Sequence, residues 1–239
     1  MVSIAGSKKL KRQMAPQFWG ISRKSKRFVI TVKPGPHKKE HSVPTAVFLR
    51  DMLAIVSTLR EAKAAIYSGR VKIDGIVRKS LHHAIGLMDV IELADVSETY
   101  RLVPTEDKLL KPIKINESEK SKKLVRVTTK TTISKGRLQI GFHDGRSLIS
   151  DAKVSVGDVC LIQIPEVKIL EVIKLEAGCQ GLVTRGSNAG QIGKIETIEE
   201  GTFILPKRVI VTLGDRKIEI PADIIMPIGK EEPIIQLKW

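Results

Sequence analysis

The chain has 239 residues, with 41 lysines and arginines against 26 aspartates and glutamates, a formal net charge of +15, and 4% aromatic residues. This length allows one large domain or two to three small ones. No uninterrupted apolar run approaches the ~18 residues of a membrane-spanning helix, and the cysteines and histidines lack the spacing of a metal site. We therefore expect no membrane partner, no metal or other cofactor and no small-molecule substrate.

The positive charge is concentrated in residues 1–42, which hold eleven basic residues and one acid. This basic arm is polar and has neither helical nor strand periodicity, so we expect it to be disordered until it binds a partner. Its cations would neutralise phosphates, which favours nucleic acid over an anionic membrane surface. The predicted RNA-binding residues of the arm are Lys8, Lys9, Lys11, Arg12, Trp19, Arg23, Lys24, Lys26, Arg27, His37, Lys38 and Lys39.

Phe18 and Trp19 are adjacent aromatic residues between two basic clusters of the arm. One interpretation is that they stack on bases or insert into an RNA crevice. The other is that they anchor the arm on the surface of its own protein. The sequence leaves both interpretations open.

Two helices and a hairpin are predicted after Pro44. Phe48, Met52, Ile55, Val56 and Leu59 recur at helical spacing and predict an amphipathic helix. Thr58 and Glu61 have capping-box spacing, so a second helix begins near residue 59, with an apolar stripe of Leu59, Ala62 and Ile66. Gly69 supplies the left-handed residue that ends this helix. The Asp74-Gly75 pair between two apolar runs predicts a two-residue hairpin.

Six basic side chains and two acids lie between residues 60 and 79, around this helix end and hairpin. They could converge on a groove that binds RNA, although a charged run can also be a solvated face. The candidate residues are these six, Arg60, Lys63, Arg70, Lys72, Arg78 and Lys79, together with Arg50 of the first helix.

Beyond a soft linker near Pro104–Pro112, short strands alternate with turn signals and predict two small β-barrels or sandwiches. The predicted strands lie within 124–133, 137–142, 154–164, 181–184, 194–198, 209–213 and 217–220. Gly157-Asp158 is a turn signal within the third of these segments, and Gly214-Asp215 is the turn between the last two. Residues 167–175 fit a strand or a helix, and we favour a strand. The glycine-dense stretch 178–195 is not a P-loop, because Asn188 and Ile195 stand where that motif needs glycine and a magnesium-binding hydroxyl. We interpret it as two strands joined by a tight loop.

Three segments resemble one family. Lys9-Leu10-Lys11-Arg12 through Trp19, followed by Gly35-Pro36-His37-Lys38, looks like the start of the "S four e" family of small-subunit ribosomal proteins that archaea and eukaryotes share. Residues 43–95 resemble the S-four RNA-binding module in Phe48-Leu49-Arg50-Asp51 and in the segment from Gly69 to Gly75. Residues 178–195 resemble the KOW motif of an SH3-like barrel, with a loop containing Gly186, Asn188, Gly190 and Gly193.

This resemblance implies a non-catalytic component of the small ribosomal subunit that binds ribosomal RNA, contacts neighbouring ribosomal proteins, takes part in translation and is cytoplasmic. The expected fold is α+β and multi-domain. The expected segments are a basic extension at 1–42, an S-four-type module at 43–95, a central β domain at 96–172 and a KOW-containing SH3-like barrel at 173–239.

Two other functions fit parts of the sequence. A KOW-containing transcription or translation factor would bind a polymerase or ribosome transiently. An RNA-modifying enzyme is the weaker alternative, because Gly136-Arg137-Leu138-Gln139 has an amide where pseudouridine synthases carry their catalytic aspartate. We therefore predict that the protein is not an enzyme.

Overall fold

The computed structural model describes residues 9–96, 98–106, 109–214, 216–230 and 232–237. Lys8, one of the predicted RNA-binding residues, lies outside this part of the chain, as does Asp215 of the last predicted turn. The contacts between residues divide the chain into two compact units. Unit one comprises residues 1–102 and 110–120, and unit two comprises residues 103–109 and 121–239. Most regular structure is β-strand in several small sheets, with few helices, as in a multi-domain α+β protein.

Unit one contains two small two-stranded sheets, β1-β2 and β3-β6, and one five-stranded sheet in the order β5-β4-β7-β8-β9. The strands are β1 (Lys9–Lys11), β2 (Phe28–Ile30), β3 (Val43–Pro44), β4 (Val71–Ile73), β5 (Ile76–Val77), β6 (Ala84–Ile85), β7 (Val90–Leu93), β8 (Glu98–Val103) and β9 (Lys111–Lys114). The helices are α1 (Thr45–Val47), a π-helix (Phe48–Met52), α2 (Leu59–Tyr67) and short 3-10 turns at Arg12–Met14, Gln17–Trp19, Lys39–His41 and Glu117–Glu119.

Unit two contains two five-stranded sheets, with the orders β12-β11-β10-β13-β14 and β18-β17-β16-β15-β19. The first sheet consists of β10 (Lys122–Thr132), β11 (Leu138–Phe142), β12 (Ser147–Ile149), β13 (Val159–Gln163) and β14 (Lys168–Ile173). The second consists of β15 (Gln180–Val183), β16 (Ile192–Glu199), β17 (Arg208–Leu213), β18 (Arg216–Pro221) and β19 (Ile225–Gly229). Short 3-10 turns lie at Ser134–Gly136 and Ala222–Ile224. Strands occur where the sequence predicts them, and β13 begins at Val159, directly after the predicted Gly157-Asp158 turn. Strands β12 and β19 were not predicted.

Residues 9–42 are folded, so the prediction of a disordered arm was wrong for the described part. Strands β1 and β2 pair antiparallel, with Leu10 opposite Val29. Trp19 is 0% exposed, and its indole Nε1 donates a hydrogen bond to the Ser42 carbonyl over 2.9 Å. The few apolar residues of the arm lack a local period because they are buried against distant parts of unit one, which compensates their ordering entropy.

The predicted second helix and hairpin are confirmed. Thr58 Oγ1 accepts the Glu61 amide over 3.2 Å, while the Glu61 carboxylate accepts the Thr58 amide over 3.3 Å, which completes the capping box. Gly69 follows the helix with φ +81°, and Asp74 and Gly75 both have positive φ in the hairpin turn. Leu59, in contrast, is exposed, so it does not belong to the buried stripe.

The predicted first helix is correct only as far as Met52. After α1 the helix widens into the π-helix, where the Leu53 amide donates to the Phe48 carbonyl over 3.0 Å. Ala54 then adopts φ 53°, a left-handed conformation that ends the helix. Ile55 is therefore exposed, and the predicted apolar face does not continue to Leu59.

The linker predicted near Pro104–Pro112 extends too far toward the carboxyl terminus. Strand β9 begins at Lys111 and forms the edge of the five-stranded sheet of unit one. The division into four segments stays a prediction. Each of the two units combines parts of more than one of those segments.

Candidate nucleic-acid interface

Helix α2 places two of the predicted cations on its solvent side. Ala62 and Ile66, one turn apart, are both completely buried. Arg60 and Lys63 lie on the exposed side of the helix. This division follows from the 3.6-residue period, which separates the apolar stripe from the basic side chains.

The hairpin carries two further exposed cations, Lys72 and Lys79, of which Lys79 lies next to the end of α2. In β4, Val71 and Ile73 are buried while Lys72 between them is exposed, as strand alternation requires. A Cβ atom built on Gly69 would lie 3.4 Å from Val77 and 3.8 Å from Cε of Lys79. The helix end and the second strand of the hairpin are therefore in contact, and the Lys79 stem lies beside them.

We call Arg60, Lys63, Lys72 and Lys79 the helix–hairpin patch. Within the described part of the chain, none of these four side chains makes an ion pair with a carboxylate. Their charges are thus neutralised by mobile counterions, which a phosphate backbone would displace with a gain in entropy. The arrangement is suited to binding a polyanion.

The other three cations predicted around this module are differently placed. Arg70 pairs with Asp95 over 2.8 Å, and Arg50 pairs with Asp51 over 2.7 Å. Arg78 is only partly exposed. These residues lie near the patch, but their charges are compensated or shielded from solvent.

Tyr67 extends the patch and is absent from the predicted site residues. Its side chain is 52% exposed, and Lys63 Nζ lies 5.7 Å from the centre of its ring. An exposed aromatic ring beside free cations can stack on an unpaired base. The sequence signal was the helical spacing that places Tyr67 on the same side of α2 as Arg60 and Lys63.

The second basic surface is the cationic loop, residues 20–27, which connects the 3-10 turn at Gln17–Trp19 to β2. Its basic side chains are Arg23, Lys24, Lys26 and Arg27, and all four are exposed. The loop is held from inside by Arg12, whose Nη1 donates to the Ser22 carbonyl over 2.9 Å and whose Nε donates to the Lys26 carbonyl. The Arg12 amide also donates to the Arg27 carbonyl over 3.0 Å.

Three of the predicted RNA-binding residues are buried inside unit one, which argues against their direct contact with RNA. Arg12 uses its guanidinium to hold the cationic loop, and a buried guanidinium needs such acceptors. Trp19 is completely buried, which supports the anchoring interpretation over stacking on RNA. His37 is buried 3.0 Å from an Asp89 carboxylate oxygen.

His37 fastens the end of the arm to the rest of unit one. Asp89 also accepts the Gly86 amide over 2.8 Å. A Cβ atom on Gly86 would lie 2.4 Å from Cγ of the imidazole, so the ring packs directly on that glycine backbone. Nearby, His82 Nδ1 is 2.8 Å from the Thr31 carbonyl. The arm and the helix–hairpin patch thus belong to one folded unit.

The remaining cations of the arm are at or near the surface. Lys9, Lys38 and Lys39 are exposed, and Lys11 is half-buried. Lys9 Nζ lies 6.0 Å and Arg27 Cζ lies 5.4 Å from the Phe28 ring centre. Both cations can face solvent while their stems cover the ring.

The glycines of the predicted KOW loop have identifiable backbone roles. Gly186 has φ +95° with open space around it, and Gly190 has φ +85°. A Cβ atom on Gly190 would lie 2.6 Å from Cα of Thr105, and one on Gly193 would lie 2.3 Å from the Thr212 carbonyl oxygen. Asn188 is half-buried, and its carbonyl accepts the Gln191 amide over 3.2 Å. These positions shape the loop and allow close packing.

Many cations of unit two are compensated by carboxylates. The pairs are Lys168 with Glu166 (2.5 Å), Lys174 with Glu176 (3.8 Å), Lys207 with Glu200 (2.7 Å), Arg208 with Glu199 (3.1 Å) and Lys217 with Glu196 (2.8 Å). This pairing contrasts with the helix–hairpin patch. The candidate interface is the patch together with the cationic loop, whose exposed cations lie close together along the chain and have no carboxylate ion pair among the described residues.

Both cysteines of the chain, Cys160 and Cys179, are buried. Burial, with the nearby Asp158 charge, raises the pKa of the Cys160 thiol to about 11, so the thiol stays protonated at neutral pH. Among the residues that the structure describes, no group of three or more side chains could hold a metal ion. No helix in these ranges is long and apolar enough to cross a membrane.

Comparisons with known proteins match the full length of the chain. The model of ribosomal family S4e matches residues 96–169, and that of the RS4NT domain matches residues 5–40. The chain is 40% identical over 249 residues to the small ribosomal subunit protein eS4 of Staphylothermus marinus, covering 99% of this chain and 98% of that protein. It is 38% identical over 238 residues to the eS4 protein of Methanothermobacter thermautotrophicus, with the same coverage.

A solved structure is also similar. The crystal structure of the 30S ribosomal protein S4e from Thermoplasma acidophilum aligns with a TM-score of 0.69 and 34% sequence identity. The alignment covers 81% of this chain and 97% of that one.

Proposed function

The chain belongs to the ribosomal protein S4e family and is a structural constituent of the small ribosomal subunit, and we propose that it binds ribosomal RNA there through the helix–hairpin patch and the cationic loop. The prediction of this family is confirmed, as is the prediction that the protein is not an enzyme. The protein is located in the ribosome. We propose that this ribosome is cytoplasmic.

One observation carries the proposed mode of RNA binding: α2 and its hairpin present four exposed cations that have no carboxylate ion pair in the described part of the chain. If the patch were only a solvated surface, we would expect ion pairs between neighbouring side chains to stabilise it, as they do for several lysines of unit two. Exposed cations along a helix and a hairpin can instead contact the phosphates of a folded RNA, whose shape is recognised more than its base edges.

The cationic loop adds a second contact. Because Arg12 fixes its backbone from inside unit one, the loop does not have to be ordered when RNA binds. The entropy cost of association is therefore smaller than for the disordered arm that the sequence predicts. We further propose that residues 43–95 are an S-four-type module and that residues 173–239 form a KOW-containing SH3-like barrel.

The test is binding of the full chain to purified small-subunit ribosomal RNA at fixed salt. The double variant Arg60→Glu with Lys63→Glu should bind about tenfold more weakly or worse, since each lost phosphate contact costs severalfold at physiological ionic strength. Both side chains are exposed, so thermal unfolding should change little.

The matched control is Lys168→Glu with Lys174→Glu in unit two, which changes the net charge equally. This variant should bind RNA almost as well as the natural chain, because its lysines face their own carboxylates. Equal weakening by both double variants would mean that net charge alone, and not the patch, determines binding.

A further inference from the structure

The connection between β16 and β17 presents apolar side chains to solvent. We call Thr202–Leu205 the apolar turn. Phe203 is fully exposed, Ile204 is 85% exposed, and Leu205 is also exposed. Single exposed apolar residues are common on soluble proteins. Three successive exposed apolar residues are typical of a contact surface, especially when an aromatic ring lies at the corner of a turn.

The apolar turn has a defined shape. The Thr202 amide donates to the Leu205 carbonyl over 2.8 Å, and the Leu205 amide donates to Thr202 Oγ1 over 3.2 Å. A Cβ atom on Gly201 would lie 2.8 Å from the Lys207 amide nitrogen, so the two sides of the loop are in close contact below the turn. Phe203 and Ile204 are therefore held outward at its corner, and docking would require little further ordering.

The charges beside the turn indicate what kind of partner it fits. Lys207 Nζ is 2.7 Å from the Glu200 carboxylate, and Arg208 is 3.1 Å from Glu199 and also contacts Glu219. The nearest cations are thus already paired, and the carboxylates beside them would repel phosphates. An RNA surface needs free cations, as in the helix–hairpin patch. A protein surface with an apolar pocket and a mixed-charge rim matches this arrangement better.

We propose that Phe203 and Ile204 insert into an apolar pocket on a neighbouring protein of the small ribosomal subunit. This inference rests on the proposed function, since it takes its partner from the same assembly. It assigns unit two a protein contact, while the patch and the cationic loop of unit one contact RNA.

The direct test is photo-crosslinking from the turn within assembled subunits. The full chain carrying Phe203→p-benzoylphenylalanine is incorporated into small subunits, which are purified through a high-salt gradient and irradiated. We expect an adduct with one other ribosomal protein that survives ribonuclease and is lost on protease treatment. The matched control is Thr197→p-benzoylphenylalanine, an exposed position on β16, which should give no such adduct.

An adduct that ribonuclease removes, an adduct with a second copy of this chain, or no adduct from chains present in the subunits would each overturn the inference. Absence of the natural chain from the purified subunits would instead contradict the proposed function. The two failures are therefore distinguishable.

A second measurement uses retention of the chain. Phe203→Ser with Ile204→Ser should unfold at the same temperature as the natural chain, yet its retention in high-salt-washed subunits should fall by about fivefold or more, as for loss of an interface hot spot. The matched variant Val156→Ser with Leu170→Ser removes two other exposed apolar side chains of unit two and should be retained normally. Equal retention of both variants would overturn the inference.

Discussion

His83 is a partly buried group that should make the free energy of unfolding depend on pH. It is half-buried, and burial, followed by the charge of Arg78, lowers the pKa of its imidazole below the ordinary 6.5, although Asp89 acts in the opposite direction. The charge of His37 also lowers this pKa. In the folded protein the imidazole is therefore held in its neutral form.

Stability should consequently fall on acidification. Below about pH 6.5 the unfolded chain takes up a proton at His83 that the folded chain binds less readily, so the free energy of unfolding decreases as the pH falls through this range. Urea unfolding at pH 7.5 and 5.5 measures the effect. The variant His83→Gln should lose less stability between these pH values than the natural chain, and an equal loss would contradict the assignment.

Lys123 and Asp144 form a buried ion pair in unit two. Their closest atoms are 3.1 Å apart, and their side chains are 0% and 1% exposed. Burial alone would raise the pKa of the Asp144 carboxyl, but the charges of Lys123, His143 and Arg146 outweigh it and lower the pKa. The carboxylate therefore stays ionised and depends on these cations for its stability.

Removal of one partner should be costly. Lys123→Met leaves the buried carboxylate without its main partner and should lower the free energy of unfolding by about 3 kcal/mol or more. The double variant Lys123→Met with Asp144→Leu removes both charges and should recover much of that loss. Chemical denaturation measures both, and strictly additive losses would show that the two residues do not interact.

At the scale of elements, the loop from Gly186 to Gly190 illustrates two separate requirements for glycine. Both residues have positive φ, which an L-residue adopts at a cost of about 1 kcal/mol. Gly186 has open space around it, whereas Gly190 packs against Thr105 and the Pro104 carbonyl. The side chain of Gln191 also reaches Glu106, with 2.9 Å between Nε2 and Oε1. The loop thus packs against residues 104–106 within unit two.

A matched pair of substitutions separates the two requirements. Gly186→Ala should cost about 1 kcal/mol through its backbone conformation alone. Gly190→Ala should cost clearly more, because its Cβ would lie 2.6 Å from Cα of Thr105 and the backbone would have to move. Thermal unfolding of the two variants tests this comparison. Equal losses would show that packing on residues 104–105 contributes nothing.

Elements whose signals are local could be predicted from the sequence. The capping box of Thr58 and Glu61, the end of α2 at Gly69 and the turn at Asp74-Gly75 each depend on residues within a few positions of one another. The first helix was predicted too long because apolar spacing does not report the π-helix or the left-handed Ala54. Apolar spacing indicates which residues are buried. In this segment the buried residues do not all belong to one regular helix, so the spacing predicted a helix that is too long.

At the scale of the whole molecule, the arm shows what local patterns miss. His37 contacts Asp89, 52 positions later, and Trp19 donates to Ser42, 23 positions later. A sequence pattern gives no sign of such distant partners, so a polar arm was predicted to be disordered and its buried residues to be RNA contacts. The exposed positions of the helix–hairpin patch follow the local periods of α2 and the hairpin, while their contact with RNA stays a prediction.

The distribution of charge between the units is the basis of the proposed function. In unit one, the helix–hairpin patch lacks carboxylate partners among the described residues, whereas Lys168, Lys174, Lys207 and Lys217 of unit two each face a glutamate. Net charge alone would make both units candidate RNA contacts. Pairing distinguishes the patch from these four lysines, because an already compensated cation releases few counterions when RNA binds.

The salt dependence of binding to small-subunit ribosomal RNA tests this claim most directly. The slope of the logarithm of the association constant against the logarithm of the salt concentration should become shallower by about 3 when all four patch cations, Arg60, Lys63, Lys72 and Lys79, are changed to Gln. Changing Lys168, Lys174, Lys207 and Lys217 to Gln should leave the slope nearly unchanged. A patch variant that keeps the natural slope, or equal changes in both variants, would contradict the account.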